Sequence, residues 1–117
     1  MNFKVIERGD VVEVAIEGNI LQENVDVLKG RFYDLIENGN VNIVLNMAQS
    51  NYVSSLCLAI IVDVKNRLAR INGDLKISNV NRLIRNLLEI TNLVKKIDLF
   101  DNVDDAVAAF PCDSGKT

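Results

Sequence analysis

Between Glu37 and Asp63 the chain carries no charged residue, and within that stretch Ile43, Val44 and Leu45 follow one another without a polar break. Successive side chains of a strand point to opposite sides of its sheet, so three apolar residues in a row do not suit a strand with one wet face. A strand over Val41 to Leu45 is therefore expected to be buried on both faces, central in its sheet and parallel to a neighbour. Such a strand needs helices packed on the sheet, which selects a layered α/β architecture. The chain of 117 residues has room for one domain of this kind and not for two. Its hydrophobic share of 49% and charged share of 25% fit a compact soluble fold and neither a disordered nor a fibrous one.

The segments around the central strand fill in the rest. Phe3 to Ile6 and Val11 to Ile16 are β-prone runs joined by Arg8-Gly9-Asp10, which predicts an opening hairpin. Val25, Leu28, Phe32, Leu35 and Ile36 recur with helical spacing up to Asn38-Gly39-Asn40. A second helix is expected from Ser54 or Ser55 to Ile71, with Leu56, Ile60, Val64, Leu68 and Ile71 on its core face and Asn72-Gly73 ending it. Leu75 to Ile77 reads as a short strand, and Asn81 to Ile90 as a third helix turned inward on Leu83, Leu87 and Ile90. Ile97 to Phe100 reads as an edge strand and Asn102 to Phe110 as a last short helix. The sum is one domain over residues 1 to 110, a mixed sheet of about four to five strands against about four helices on one or both faces. Phe32, Leu35, Val44, Ile60 and Val64 are its best-patterned core candidates. Residues 111–117 form a polar end expected to be loose.

Several functions are disfavoured by what the chain lacks. It has no histidine, which removes the commonest metal ligand and general base. Neither Cys57 nor Cys112 has metal-ligand spacing, no carboxylate pair stands in a defined motif, and no enzyme or cofactor is expected. The end Gly115-Lys116-Thr117 lacks the glycine five residues earlier and the following helix that a phosphate-binding loop requires. The first residues have no apolar leader, the longest apolar run is too short to cross a bilayer, and the two cysteines do not form a secreted framework, so a cytoplasmic protein without membrane insertion is expected.

Charge is unevenly spread. Residues 1 to 64 hold four basic and nine acidic groups, residues 65 to 100 eight and three, and residues 101 to 117 one and four. The basic stretch includes Lys65, Arg67, Arg70, Lys76, Arg82 and Arg85, yet no aromatic residue is interleaved with them for base stacking. A solvated helix face explains it better than direct nucleic-acid binding.

The informative segment is Ile43 to Val62, IVLNMAQSNYVSSLCLAIIV, in which a buried strand runs into a polar loop and then opens a helix at Ser54-Ser55. Serine is a favoured helix cap, which is sufficient reason for one of the two. A hydroxyl at a helix N-terminus is also a place where an added phosphate meets unpaired amides and a favourable dipole. The segment resembles the signature of STAS domains, in particular of anti-sigma factor antagonists, with Asn46-Met47 at the family's Asp-Leu, Leu58 at its Leu after Gly, and Ser55 on its phosphorylatable serine. Leu75-Lys76-Ile77-Ser78-Asn79-Val80 and Leu87 to Ile97 resemble the family's second half. Ser54, Leu56, Cys57 and Ala59 depart from the family's Asp, small residue and two Gly, and Leu21 stands where phosphorylatable members often carry Asp.

The resemblance implies a partner-switching antagonist that binds an anti-sigma factor serine kinase while Ser55 is unmodified and leaves it when Ser55 is phosphorylated. Asn19, Leu21, Tyr52, Ser54, Ser55 and Cys57 are its expected partner contacts, and a weak homodimer is allowed. The alternative is a non-phosphorylated STAS subunit acting as a structural or regulatory partner in a stressosome-like scaffold or a lipid-transport ABC system.

Overall fold

The computed structural model describes residues 2–110. The expected loose end at 111–117, with Cys112 and Gly115-Lys116-Thr117, lies outside the described residues. The chain opens with β1 (Asn2–Arg8) and β2 (Val11–Glu17), then a 3-10 turn at Gln22–Asn24 leads into α1 (Val25–Glu37). There follow β3 (Asn42–Gln49), α2 (Ser55–Ala69), β4 (Asp74–Ser78) and α3 (Arg82–Ile90), a second 3-10 turn at Leu93–Lys95, β5 (Leu99–Phe100) and α4 (Val103–Ala108). The five strands lie in the order β1-β2-β3-β4-β5. β1 and β2 are antiparallel and the other pairs parallel, so the sheet is mixed and β3 is its centre.

Both faces of β3 are covered, as its apolar run requires. Ile43, Leu45 and Met47 point into the main core with Val12, Val14, Ile16, Leu75 and Ile77 and with side chains of α1, α2 and α3. Val44 points the other way and packs with Val11, Ala106 and Phe110 beneath α4. That second face also carries polar groups in compensated positions. The buried carboxylate of Glu13 accepts from Arg8 at 2.7 Å and Asn46 at 3.0 Å, and the buried Lys76 ammonium reaches Asp98 at 2.9 Å and Asp74 at 3.2 Å.

Helix α3 sits rotated from its expected orientation, and α2 departs from it at Leu56, Ile60 and Ile71 while burying Val64 and Leu68 as expected. In α2 the buried residues are Cys57, Leu58, Ile61, Val64 and Leu68, whereas Leu56 and Ile71 are exposed and Ile60 is half-buried. In α3 the buried pair is Ile84 and Leu88, whereas Leu83 and Ile90 are exposed. The cause is the same in both. Leu56-Cys57-Leu58-Ala59-Ile60-Ile61-Val62 is apolar all round, and α3 contains the doublets Leu83-Ile84 and Leu87-Leu88, so two stripes one residue apart satisfy the helical period equally well.

The ends of these helices are fixed more sharply than their faces. Asn72, just after α2, has a left-handed backbone with φ of 64°, a conformation asparagine tolerates. A Cβ on the following Gly73 would collide with the carbonyl oxygen of Val41, which makes glycine obligatory at the entry to β4.

Four of the six basic residues named in that stretch, Lys65, Arg67, Lys76 and Arg85, stand within reach of carboxylates. Lys65 pairs with Asp74, Arg67 with Asp63 at 3.0 Å, and Arg85 approaches Asp101 at 3.9 Å. Arg67 also lies 4.4 Å from the centre of the Tyr33 ring, whose hydroxyl donates to Asp63 at 2.6 Å and so ties α1 to α2. That hydroxyl, with the nearby Arg67, holds the Asp63 carboxyl below its ordinary range.

Candidate functional site

The C-terminal ends of β2 and β3 are held together beyond the sheet proper. Gly18 N–H donates to the carbonyl of Gln49 at 2.9 Å, Ile20 N–H to that of Tyr52 at 3.0 Å, and Ser54 N–H to that of Ile20 at 2.9 Å. Ile20 and Val53 form a parallel bridge and both are buried, so two loops distant in sequence are pinned side by side by their apolar members. The side chain of Asn19 accepts from Asn51 N–H at 3.3 Å, and the hydroxyl of Ser50, itself buried, donates to the carbonyl of Ile16 at 3.0 Å. These bonds rigidify a surface made from residues 18–22 and 50–56.

The alternate residues of that surface point outward. Leu21 is 42% exposed, Tyr52 41% and Leu56 45%, and an open groove of about 480 Å³ lies along Leu21, Gln22 and Glu23. Leu21 and Tyr52 stand on adjoining loops and Leu56 in the first turn of α2, so three large apolar side chains are exposed around one end of the sheet.

At its edge α2 begins. Ser54 is the cap: its backbone is extended and its Oγ accepts from Cys57 N–H at 3.2 Å. Ser55, the first helical residue, is exposed and is not the cap. Either serine was able to start the helix on sequence grounds, and the geometry separates their tasks. The amides of Ser55 and Leu56 have no carbonyl four residues back within the helix, so this end offers donors to an anion carried on the neighbouring hydroxyl.

The expected contacts do not all gather here. Asn19, Leu21, Tyr52, Ser54 and Ser55 lie on or beside the patch. Cys57 does not, because it is fully buried in the main core, where loss of hydration pushes its thiol up to about 12. It belongs to the buried side of α2, although the resemblance sets it beside the serine. Alkylation at pH 8 of the folded protein should therefore leave the Cys57-containing peptide unmodified, with labelling appearing only in denaturant. Peptide mass mapping checks this, and rapid labelling in the native state would put Cys57 back on the surface.

Asn81 is the residue that sequence reasoning missed. Its Oδ1 caps α3 by accepting from Ile84 N–H at 2.8 Å, and its Nδ2 donates to the carbonyl of Asn51 at 3.0 Å. One side chain thus fixes the start of α3, with exposed Leu83, against the loop that precedes Ser55. The cap was legible as an asparagine before a helix; the reach to Asn51 depends on tertiary position alone.

Comparison with known proteins bears on this geometry. The family model described as the STAS domain matches residues 2–106. An anti-sigma factor antagonist candidate of Thermotoga maritima, solved as a crystal structure, superposes with a TM-score of 0.87 at 21% identity, covering 91% of this chain and 92% of that one. The anti-sigma factor antagonist SpoIIAA in its unphosphorylated form superposes with a TM-score of 0.74 at 14% identity, covering 93% of this chain and all of that one. In sequence, the antagonist candidate BtrV of Bordetella bronchiseptica is 22% identical over 95 residues, which is 81% of this chain and 82% of that protein.

Proposed function

We propose, because this chain belongs to the STAS domain family, that it is an anti-sigma factor antagonist that works by binding and not by catalysis. One observation carries the reading: an exposed serine hydroxyl, Ser55, opens α2 at the edge of an exposed apolar patch formed by Leu21, Tyr52 and Leu56. With Ser55 unmodified, the patch docks on an anti-sigma factor that is a serine kinase and so releases the sigma factor. Transfer of the γ-phosphoryl group of ATP to Ser55 Oγ, with ADP leaving, then places about −1.5 to −2 charges in an interface fitted to a neutral hydroxyl. The amides at the start of α2 offset only part of the cost of desolvating that charge in an interface fitted to a neutral group, and the remainder drives the complex apart. The folded domain is left intact, since Ser55 is exposed and the cap belongs to Ser54.

Among the described residues no helix is long and apolar enough to cross a membrane. A second reading, a constitutive STAS subunit of a scaffold or transport complex, is favoured by Ser54 and Leu21 in place of the two carboxylates expected near a phosphorylated serine.

The test uses the cognate kinase and ATP, read by intact-protein mass. The unaltered chain should gain one phosphate, Ser55→Ala should bind the kinase but gain none, and Ser54→Ala should still be a substrate while losing about 1 kcal/mol of stability with its cap. Ser55→Asp should bind weakly, as a mimic with less charge than phosphate. A phosphate retained on Ser55→Ala and lost on Ser54→Ala would move the switch to Ser54. No phosphate on the unaltered chain would favour the constitutive reading.

A further inference from the structure

The two edges of the sheet are unlike. β5 is two residues long, too short to template another strand, whereas β1 offers seven residues in unbroken register with β2 and, among the described residues, no strand on its outer side. Edge strands of that length are usually shortened, bulged or covered, because their free N–H and C=O groups recruit another strand. Here Val5 is 47% and Ile6 40% exposed. We propose that β1 pairs antiparallel with β1 of a second copy of this chain about a two-fold axis at Val5, joining two sheets into one of ten strands.

The register follows from the hairpin. Arg8 faces Val11 across a two-residue turn whose first residue, Gly9, has φ of 71°, the geometry of a tight primed turn closed by a hydrogen-bonded pair. Every second residue back from Arg8 therefore spends its backbone groups on β2, and Phe3, Val5 and Glu7 direct theirs outward. Only registers that set outward residues against outward residues are allowed. Centring on Lys4 would stack Lys4 on its own copy, and centring on Ile6 would set Lys4 across from Arg8. Centring on Val5 avoids both and places Val5 against Val5, Lys4 against Ile6, and Phe3 against Glu7.

The last pair supplies the charge complementarity. Phe3 and Glu7 share the face of the sheet that α1 covers, since they stand opposite Ile16 and Val12 of β2, both in the main core. Arg31 of α1 lies over the Phe3 ring, 5.2 Å from its centre. Glu7 of one copy, directly across from Phe3 of the other, therefore meets that copy's Arg31, and the two-fold axis makes this contact twice. The surface is small, so the dimer is a weak one.

Sedimentation velocity of the full chain from about 10 μM to about 1 mM tests this, with circular dichroism to confirm that each variant is folded. Concentration-dependent dimerisation is expected. Val5→Lys, which sets two lysines on the axis, should abolish it. Glu7→Arg and Arg31→Glu, both at exposed positions, should each weaken it about tenfold, and the two together, which restore opposite charges, should recover it. A chain still monomeric at about 1 mM overturns the proposal. So does a dimer indifferent to Val5→Lys, or a double variant no better than either single one.

Discussion

Ile61→Ala is expected to destabilise the domain by about 2 to 5 kcal/mol, against at most about half of that for Ile60→Ala. Ile61 is among the largest fully buried side chains, at the centre of the face that α2 turns to β3 and β4, while Ile60 is only partly covered at the border of the same core. Removing a buried branched side chain forfeits its transfer free energy and leaves a space that close-packed neighbours fill incompletely. A loss of this size is a large part of what holds a small domain together, and should lower the thermal midpoint by on the order of 10 °C. Reversible denaturation of the two variants measures the ranking. The reverse order would mean that α2 presents the stripe of Leu56 and Ile60 to the sheet, rotated by about 100° from the orientation seen here.

That pair of variants also marks where the sequence stopped being legible. The elements, their order and the central place of β3 followed from local signals: an apolar triplet, helical spacing, and asparagine or glycine at the stops. The phase of the first half of α2 did not, because phase is read from contrast between apolar and polar positions, and from Leu56 to Val62 there is no contrast; Val64 and Leu68, beyond that run, are buried as expected. Tertiary contacts hold the observed orientation: Ser54 N–H donates to the carbonyl of Ile20 just before the helix, and Asp63 and Arg67 within it pair with each other and with Tyr33 of α1. The resemblance places Cys57 at the partner surface by its match to a family glycine near the serine, and the structure buries it in the main core instead. Likewise α3 presents Ile84 and Leu88 inward because Asn81 anchors its first turn to the carbonyl of Asn51, a bond between residues thirty positions apart.

Of the candidate site, the hydroxyl and its helix were legible from Ser54-Ser55, but the patch around them was not. Leu21 lies far from Tyr52 in sequence, and nothing in Gly18-Asn19-Ile20-Leu21 announces that Ile20 will bridge to Val53. The family resemblance supplied the pairing of those loops. The structure supplies its physical cause, the burial of Ile20 and Val53 and the three backbone bonds that flank them.

Replacing Tyr52 or Leu21 with Asp should accordingly weaken binding to the anti-sigma factor by about thirtyfold or more each, which corresponds to the roughly 2 kcal/mol typical of a residue at the centre of an interface. Each substitution exchanges an exposed apolar contact for a carboxylate that must be desolvated without a partner, a penalty of the same kind as phosphate on Ser55 would impose from the neighbouring helix. The two positions lie on loops joined by the bonds of Ile20, so the double variant should fall short of the product of the single effects. Arg67→Ala with Arg70→Ala should change affinity by about threefold at most. Arg67 is already engaged with Asp63 and Tyr33, and both arginines stand at the far end of α2, more than three turns from Ser55. Folding of all the variants should be preserved, since Leu21, Tyr52, Arg67 and Arg70 are exposed in the free domain. Titration against the purified anti-sigma factor compares them directly: if the arginine variant lost more affinity than the aspartate variants, the partner would have to sit on the basic side of α2, and Ser55 would lie outside the contact it is proposed to control.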